Sequence, residues 1–326
     1  MRKSIRIGTR ESELATWQAS LVKDLLSENG YDAELVFIKS EGDIDLQTPL
    51  YDIGVQGIFT RSLDMALLNN GIDIAVHSMK DVPISLAKGI VQGAVLKRAS
   101  FKDILVYKGD TSNLSGEIGF TDGVWSIVNG KPNERIHLSF TIATSSIRRK
   151  AQWLNRFPGH HVENLRGNVN TRLRKLEESV WNGAIFAAAG LERIGLRPER
   201  SVNLDWMLPA PAQGAIMIVC REEDEHCRKA SLHLNHEHTA QCTRIERDFL
   251  KQLLGGCSTP ISALATIEDE MIHFKGNMVS PDGKDKVEIE KHILIKDAEG
   301  AGSIAAQELL NNGGQQVANK IRHGEN

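Results

Sequence analysis

A chain of 326 residues, 41% hydrophobic and 25% charged, can build two or three domains around substantial cores and is neither disordered nor fibrous in balance. Its formal net charge of −3 argues against a general nucleic-acid binder, and no apolar stretch approaches membrane-spanning length. The opening "MRKSIRIGTRESELA" has no apolar run and the four cysteines form no CxxC pair. No export signal is therefore expected, and reduced thiols in a cytoplasmic compartment are.

In chain order, "SIRIGTR" reads as a strand and Ser12 to Ser27 as an amphipathic helix with Leu14, Leu21, Val22 and Leu25 on one face, ended at Gly30. "AELVFI" is the next strand, "TRSLDMALLNN" a helix, and "IDIAV" a short buried strand opening onto "HSMKDVP". "DILVY" follows as a strand. After an irregular stretch come strand "HLSFTIAT", helix "SIRRKAQWLNRF", strand "HVENL", helix "VNTRLRKLEESVW" and strand "GAIFAAA". This alternation is that of α/β layers, whose ligands gather where loops leave the carboxyl ends of strands. "HSMKDVP", "TSSIRR" and "LRGNVNTR" all begin at such ends. After two helices, roughly 223 to 254, "SALATIED", "EMIHFKGNMV" and "KVEIEKHILI" read as a meander with a closing helix. A separate small α+β domain is expected from about residue 230.

Three features carry chemistry. Between Thr144 and Leu176 lie eight basic residues (Arg148, Arg149, Lys150, Arg156, Arg166, Arg172, Arg174 and Lys175) against the single acid Glu163. Such a segment favours bidentate recognition of carboxylate or phosphate. Exposed helix charges are the plainer reading, and with only Trp153 and Phe157 to stack, nucleic acid is the weaker one. In "HSMKDVP", Asp81 follows a strand beside Lys80, with Pro83 restricting Val82 to extended backbone. There a carboxylate can act as general acid–base, or simply belong to a turn. Cys257 in "LLGGCSTPIS" follows two glycines on an open turn, as either an accessible nucleophile or a surface thiol.

Taken together, "RIGTRESELATWQA", "GIFTRSLDMALL", "DIAVHSMKDVP", "TSSIRRKAQ", "LRGNVNTRLRKL", "AAAGLERIGL", "PAPAQGAI" and "LLGGCSTPI" resemble the porphobilinogen deaminase (hydroxymethylbilane synthase) family over nearly the full length. The resemblance implies an α/β fold of three domains: two like a hinged type-II periplasmic-binding-protein pair, and a small α+β C-terminal domain. Domain 1 would take 1–102 and 204–229, domain 2 would take 103–203, and domain 3 would take 230–326. It implies a transferase of tetrapyrrole and heme biosynthesis that condenses four porphobilinogens, with loss of ammonia, onto a dipyrromethane cofactor. That cofactor would be attached through a thioether to Cys257, and hydrolysis would free the linear product. Asp81 would be the catalytic carboxylate. Cofactor and substrate would be bound by Arg10, Ser12, Ser78, Lys80, Thr144, Ser146, Arg148, Arg149, Arg166, Gly167, Asn168, Arg172, Arg193 and Gln213. No metal, nucleic acid or membrane partner is implied, and a cytoplasmic monomer is expected.

Some positions depart from the family pattern. Gln56 stands where lysine is usual, and Ala143 and Ala212 stand where glycine is. The segment from about 110 to 137 is longer than in typical members, and its "TDG", "NGKP" and Gly116 turn signals mark it as a surface excursion of domain 2. A binding protein without catalysis would keep the arginines and lack the thiol and acid. "HCRKASLHLNHEHTAQC" gathers Cys227, His233, His236, His238 and Cys242, but at intervals unlike a standard zinc pattern.

Overall fold

Alternation of large apolar residues makes "IRIGT" a strand, and Ile5 and Ile7 point together into one core. A computed structural model describes residues 4–39, 60–109, 120–121, 124–125, 140–253 and 259–323. Gln56, Cys257 with its flanking Gly255 and Gly256, and nearly all of 110–137 lie outside the described residues.

The chain begins β1 (Ile5–Thr9), α1 (Glu13–Glu28), β2 (Ala33–Phe37), α2 (Arg61–Leu68), β3 (Ile74–Ser78), β4 (Ile90–Val95) and β5 (Asp103–Tyr107). Two-residue strands β6 (Phe120–Thr121) and β7 (Val124–Trp125) pair antiparallel. Next come β8 (Thr141–Ala143), α3 (Ile147–Arg156), β9 (His161–Glu163), α4 (Val169–Glu178), β10 (Gly183–Ala187), α5 (Ala188–Glu192), β11 (Ser201–Asn203) and β12 (Ile216–Arg221). The last part holds α6 (Glu225–Leu232), α7 (Glu237–Leu253), β13 (Ile261–Glu268), β14 (Met271–Val279), β15 (Lys286–Leu294), α8 (Ala301–Leu309) and α9 (Gln315–His323).

Two mixed five-stranded sheets result, ordered β2-β1-β3-β12-β4 and β11-β5-β10-β8-β9. The chain crosses between them twice: from β4 to β5, and back from β11 to β12. Each sheet is covered on both faces, as in α/β layers. On β3, Ile74 and Val76 enter one core while Ala75 enters the other. On β5, Leu105 and Tyr107 oppose Ile104 and Val106 in the same way. The third sheet is the antiparallel meander β13-β14-β15, packed on α7 and α8 around Phe249 and Phe274. The fold class is α/β, with a distinct α+β unit at the C-terminus.

Helix α1 starts where the Ser12 hydroxyl accepts the Ala15 amide, with Glu13 in the first turn complementing the dipole. Its buried stripe is Gln18, Ala19, Val22 and Leu26, with Leu21 and Leu25 of the expected face partly buried against the same core. Leu14 lies apart from that core, near Gly190.

Candidate active site

At the carboxyl end of β3 the chain makes a single 3-10 turn, Met79–Asp81. The Met79 amide donates to Ala215 O at 3.0 Å, and Val82 is extended ahead of Pro83. Ser78 Oγ pairs with the side-chain amide of Gln18 at 2.9 Å. His77 is buried, and burial with the Arg10 charge pushes its imidazole down to about 4. Lys80 and Asp81 are half-buried.

From the second sheet, β8 leads into Thr144, whose hydroxyl accepts the Ser146 amide at 3.2 Å. Ser146 caps α3 by accepting the Arg149 amide. Arg148 and Arg149, in the first turn, point inward. Arg148 Nη2 donates to Asp103 Oδ2 at 2.7 Å, and Nη1 to Leu208 O at 2.7 Å. Arg149 donates to Asp103 Oδ1 and to Ile185 O. After β9, Gly167 takes φ +118°, where a side chain is strained and an added Cβ would strike Thr171. Asn168 then caps α4 by accepting the Thr171 amide at 2.9 Å. That turn presents Arg166, buried, and Arg172, whose Nε donates to Gly167 O at 2.7 Å.

The two loop sets meet. Gln213, on the returning crossover, accepts from Lys80 Nζ at 3.3 Å and donates to Asp103 Oδ1 at 2.9 Å. Burial alone would raise the fully buried Asp103 carboxyl, but Arg148 and Arg149 hold it well below the usual carboxylate range. Burial pushes Lys80 down to about 8, with Arg149 and Arg148 acting the same way and Asp81 and Asp103 opposing. Burial, then Arg149 and Arg166, push Arg172 down to about 10, while Asp81 opposes. Asp81 from the first unit and Arg172 from the second thus share one field. Across the same seam Arg193 donates to Gly214 O at 2.7 Å and lies 5.7 Å over the Trp17 ring. Asn170 donates to Glu13 at 2.8 Å. Ser12 is at the cap of α1, and half-buried Arg10 faces His77.

Asp103 is the residue that sequence reasoning missed. The available signal was a lone acid opening an otherwise apolar strand, "DILVY". In the segment weighed for zinc, Cys227 and Cys242 are buried, burial pushing Cys242 up to about 12. Among the described residues no three His, Cys, Asp or Glu side chains are grouped to hold a metal ion.

Among the described residues, seven cations (Arg10, Lys80, Arg148, Arg149, Arg166, Arg172 and Arg193) gather along this seam, with Asp81, Asp103, Glu13 and Glu192 as the nearby carboxylates. Seven buried or half-buried cations gathered in one seam make it receptive to anionic groups. Arg148 Nε is itself buried without a hydrogen-bond partner, a donor that an anionic acceptor would satisfy. The fold is of the α/β class, and the donor set gathered where its two sheets meet fits a cofactor rich in carboxylates.

Two family models match: "Porphobilinogen deaminase, dipyromethane cofactor binding domain" over residues 5–229, and "Porphobilinogen deaminase, C-terminal domain" over 240–311. The chain belongs to the porphobilinogen deaminase family. It is a transferase with hydroxymethylbilane synthase activity, and its cofactor is dipyrromethane, which the family attaches through a cysteine. Among solved structures, the second Venus-flytrap domain of BvgS from Bordetella pertussis is 8% identical, covering 71% of this chain and 86% of its own, with TM-score 0.41. The methionine-binding protein MetQ is 12% identical over 71% and 89%, also with TM-score 0.41. An ancestral cationic amino acid solute-binding protein is 13% identical over 72% and 88%, with TM-score 0.40. Among the described residues no helix is long and apolar enough to cross a membrane.

Proposed function

We propose that the chain condenses four porphobilinogens one after another onto dipyrromethane held through Cys257, losing one ammonia per addition, and frees hydroxymethylbilane by hydrolysis. The observation that carries this reading is the joining of the two loop sets: Lys80, next to Asp81, donates to Gln213, which donates to the Asp103 carboxylate on which Arg148 and Arg149 are anchored. Bound dipyrromethane supplies the primer to which pyrroles are added. The chain's own residues do the rest. Asp81 gives a proton to the leaving amine and then, as a carboxylate, balances positive charge developing on the pyrrole nitrogen. Lys80, Arg10, Arg166, Arg172 and Arg193 bind acetate and propionate groups and orient each ring. Arg148 and Arg149, anchored on Asp103, form the floor, and Ser12, Ser78, Thr144, Ser146, Gly167, Asn168 and Gln213 shape the loops that carry these cations. In this reading residues 1–102 with 204–229, 103–203 and 230–326 are the working domains, and the enzyme acts in the cytoplasm as a monomer.

Peptide mapping with intact mass tests the attachment. The adduct is expected on Cys257 and on none of Cys220, Cys227 or Cys242, and an unmodified Cys257 in fully active enzyme overturns it. Asp81→Asn should keep the adduct and lose about 10²–10⁴ in rate. A variant retaining more than about a tenth of wild-type rate rules out general acid–base work by Asp81.

A further inference from the structure

The backbone around Asp81 is held from outside its own domain. Arg247, half-buried on α7, donates from Nη1 to Val82 O at 3.0 Å and Met79 O at 3.5 Å. From Nη2 it donates to Pro83 O at 2.6 Å and Ile84 O at 3.2 Å. These carbonyls bracket Asp81 on both sides. Pro83 has no amide hydrogen, so the turn has one donor fewer with which to stabilise itself. A planar guanidinium with five N–H donors can span four carbonyls, whereas an ammonium on a flexible stem cannot.

The helix that carries Arg247 is itself fixed. Its neighbour Glu246, fully buried, accepts from both Nη atoms of Arg98, from the Ala212 amide at 2.6 Å and from the Ala265 amide at 2.8 Å. Ile84, just past the acid-bearing turn, packs against the core of the C-terminal unit. A cavity of about 290 Å³, lined in part by Met79, Ile84, Arg244 and Arg247, lies beside this contact. The guanidinium thus adds a polar clamp on the turn's backbone to the apolar contacts that Ala240 and Ile84 make across the seam.

We infer that Arg247 is a positioning residue of the reaction: through it the C-terminal unit holds the backbone on both sides of Asp81, so that the acid shares one frame with the helix that runs on toward Cys257. The inference rests on the reading of Asp81 above. Arg247 touches no reacting atom and acts by keeping the carboxyl where the leaving amine arrives.

The test compares Arg247→Met, Arg247→Lys and Arg244→Met, the last an exposed neighbour on the same helix. Arg247→Met should keep its covalent cofactor by intact mass and hold KM within a few-fold of wild type. Its kcat should fall about 10–100-fold, as a displaced acid requires. Arg247→Lys should lie between, millimolar guanidinium should restore part of the Arg247→Met loss, and Arg244→Met should match wild type. Wild-type kcat per cofactor-loaded molecule in Arg247→Met overturns the inference, as does a loss that neither lysine nor guanidinium relieves. Should Arg247→Met fail to fold, Arg247→Lys decides alone: lowered kcat with cofactor retained supports the inference, and unchanged kcat overturns it. Adding Arg247→Met to Asp81→Asn should cost no further rate, and additive losses would place Arg247's action elsewhere. Activity in Asp81→Asn alone would refute the assignment of the acid, whereas inactive Asp81→Asn beside a neutral Arg247→Met would refute only the positioning role.

Discussion

Arg149 donates twice to a single oxygen of Asp103, from Nε at 3.1 Å and from Nη2 at 2.7 Å. With Arg148 on the other oxygen, one carboxylate balances two buried guanidiniums. Asp103→Asn keeps the shape and leaves those cations uncompensated, so it should lower stability by about 3–5 kcal/mol in urea unfolding. The pH dependence follows from the depressed Asp103 carboxyl. Its contribution is present above the unfolded value of about 3.9 and fades as pH falls through the lower folded value. The acid limb of the stability profile should therefore flatten in Asp103→Asn. Equal stability of the two proteins would show that this hub contributes nothing.

Lys80, pushed down to about 8, should act as a proton-dependent anion receptor. The unfolded lysine keeps its proton to about 10.5, so the folded charge costs stability below pH 8, and the cost is relieved as pH rises from 8 to 10.5. Binding has the opposite sign, since only the protonated ammonium attracts a carboxylate. In Cys257→Ala, porphobilinogen affinity measured calorimetrically should fall as pH rises through about 8. The same titration of Cys257→Ala/Lys80→Arg should show no such inflection. An inflection that persists with arginine would assign it to another group.

Ala212 adopts φ +61° while fully buried, the left-handed backbone for which the family's usual glycine is suited. A non-glycine residue there carries roughly 1–2 kcal/mol of strain. Glycine would relieve it, offset by about 0.4–1 kcal/mol of added unfolded-state entropy. Ala212→Gly should therefore raise Tm by about 1–3 °C in a thermal scan. A lowered Tm would mean that the lost methyl packing outweighs the strain.

Arg172 and Arg156 separate site charge from general charge. Arg172 shares the field of Asp81, whereas Arg156 lies 4.9 Å over the Trp206 ring. Arg172→Gln should lose one charge-assisted contact, about 1.5–3 kcal/mol of ligand binding, and accumulate short enzyme-bound intermediates by mass spectrometry. Arg156→Gln should elongate normally. Equal defects in both would point to surface charge rather than the cleft.

Much of this molecule is local. Ser12, Ser146 and Asn168 announce helix starts because a side-chain oxygen need reach only three residues ahead. Gly167 reports its own backbone, alternation in "IRIGT" reports a strand, and the continuous apolar run of "DILVY" reports one buried on both faces. The motifs themselves, read in order, were enough to indicate the family and with it the chemistry expected of Asp81 and Cys257.

What tertiary structure decided is which charge meets which. The basic run from Thr144 to Leu176 does not say that Arg148 and Arg149 turn inward while Arg172 reaches the field of Asp81. Asp103 lies 45 residues from Arg148, and Arg247 lies 163 to 168 residues from the carbonyls it holds. The Asp103–Arg148 pair forms within the second layer and the Arg247 contacts where α7 meets the first, while the chain's exit after β4 and return by β12 bring Gln213 between Lys80 and Asp103. Side-chain periodicity records only which face of an element is buried. It carries no trace of the distant partner, because ion pairing depends on separation in space, and only the crossing of the chain makes that separation small.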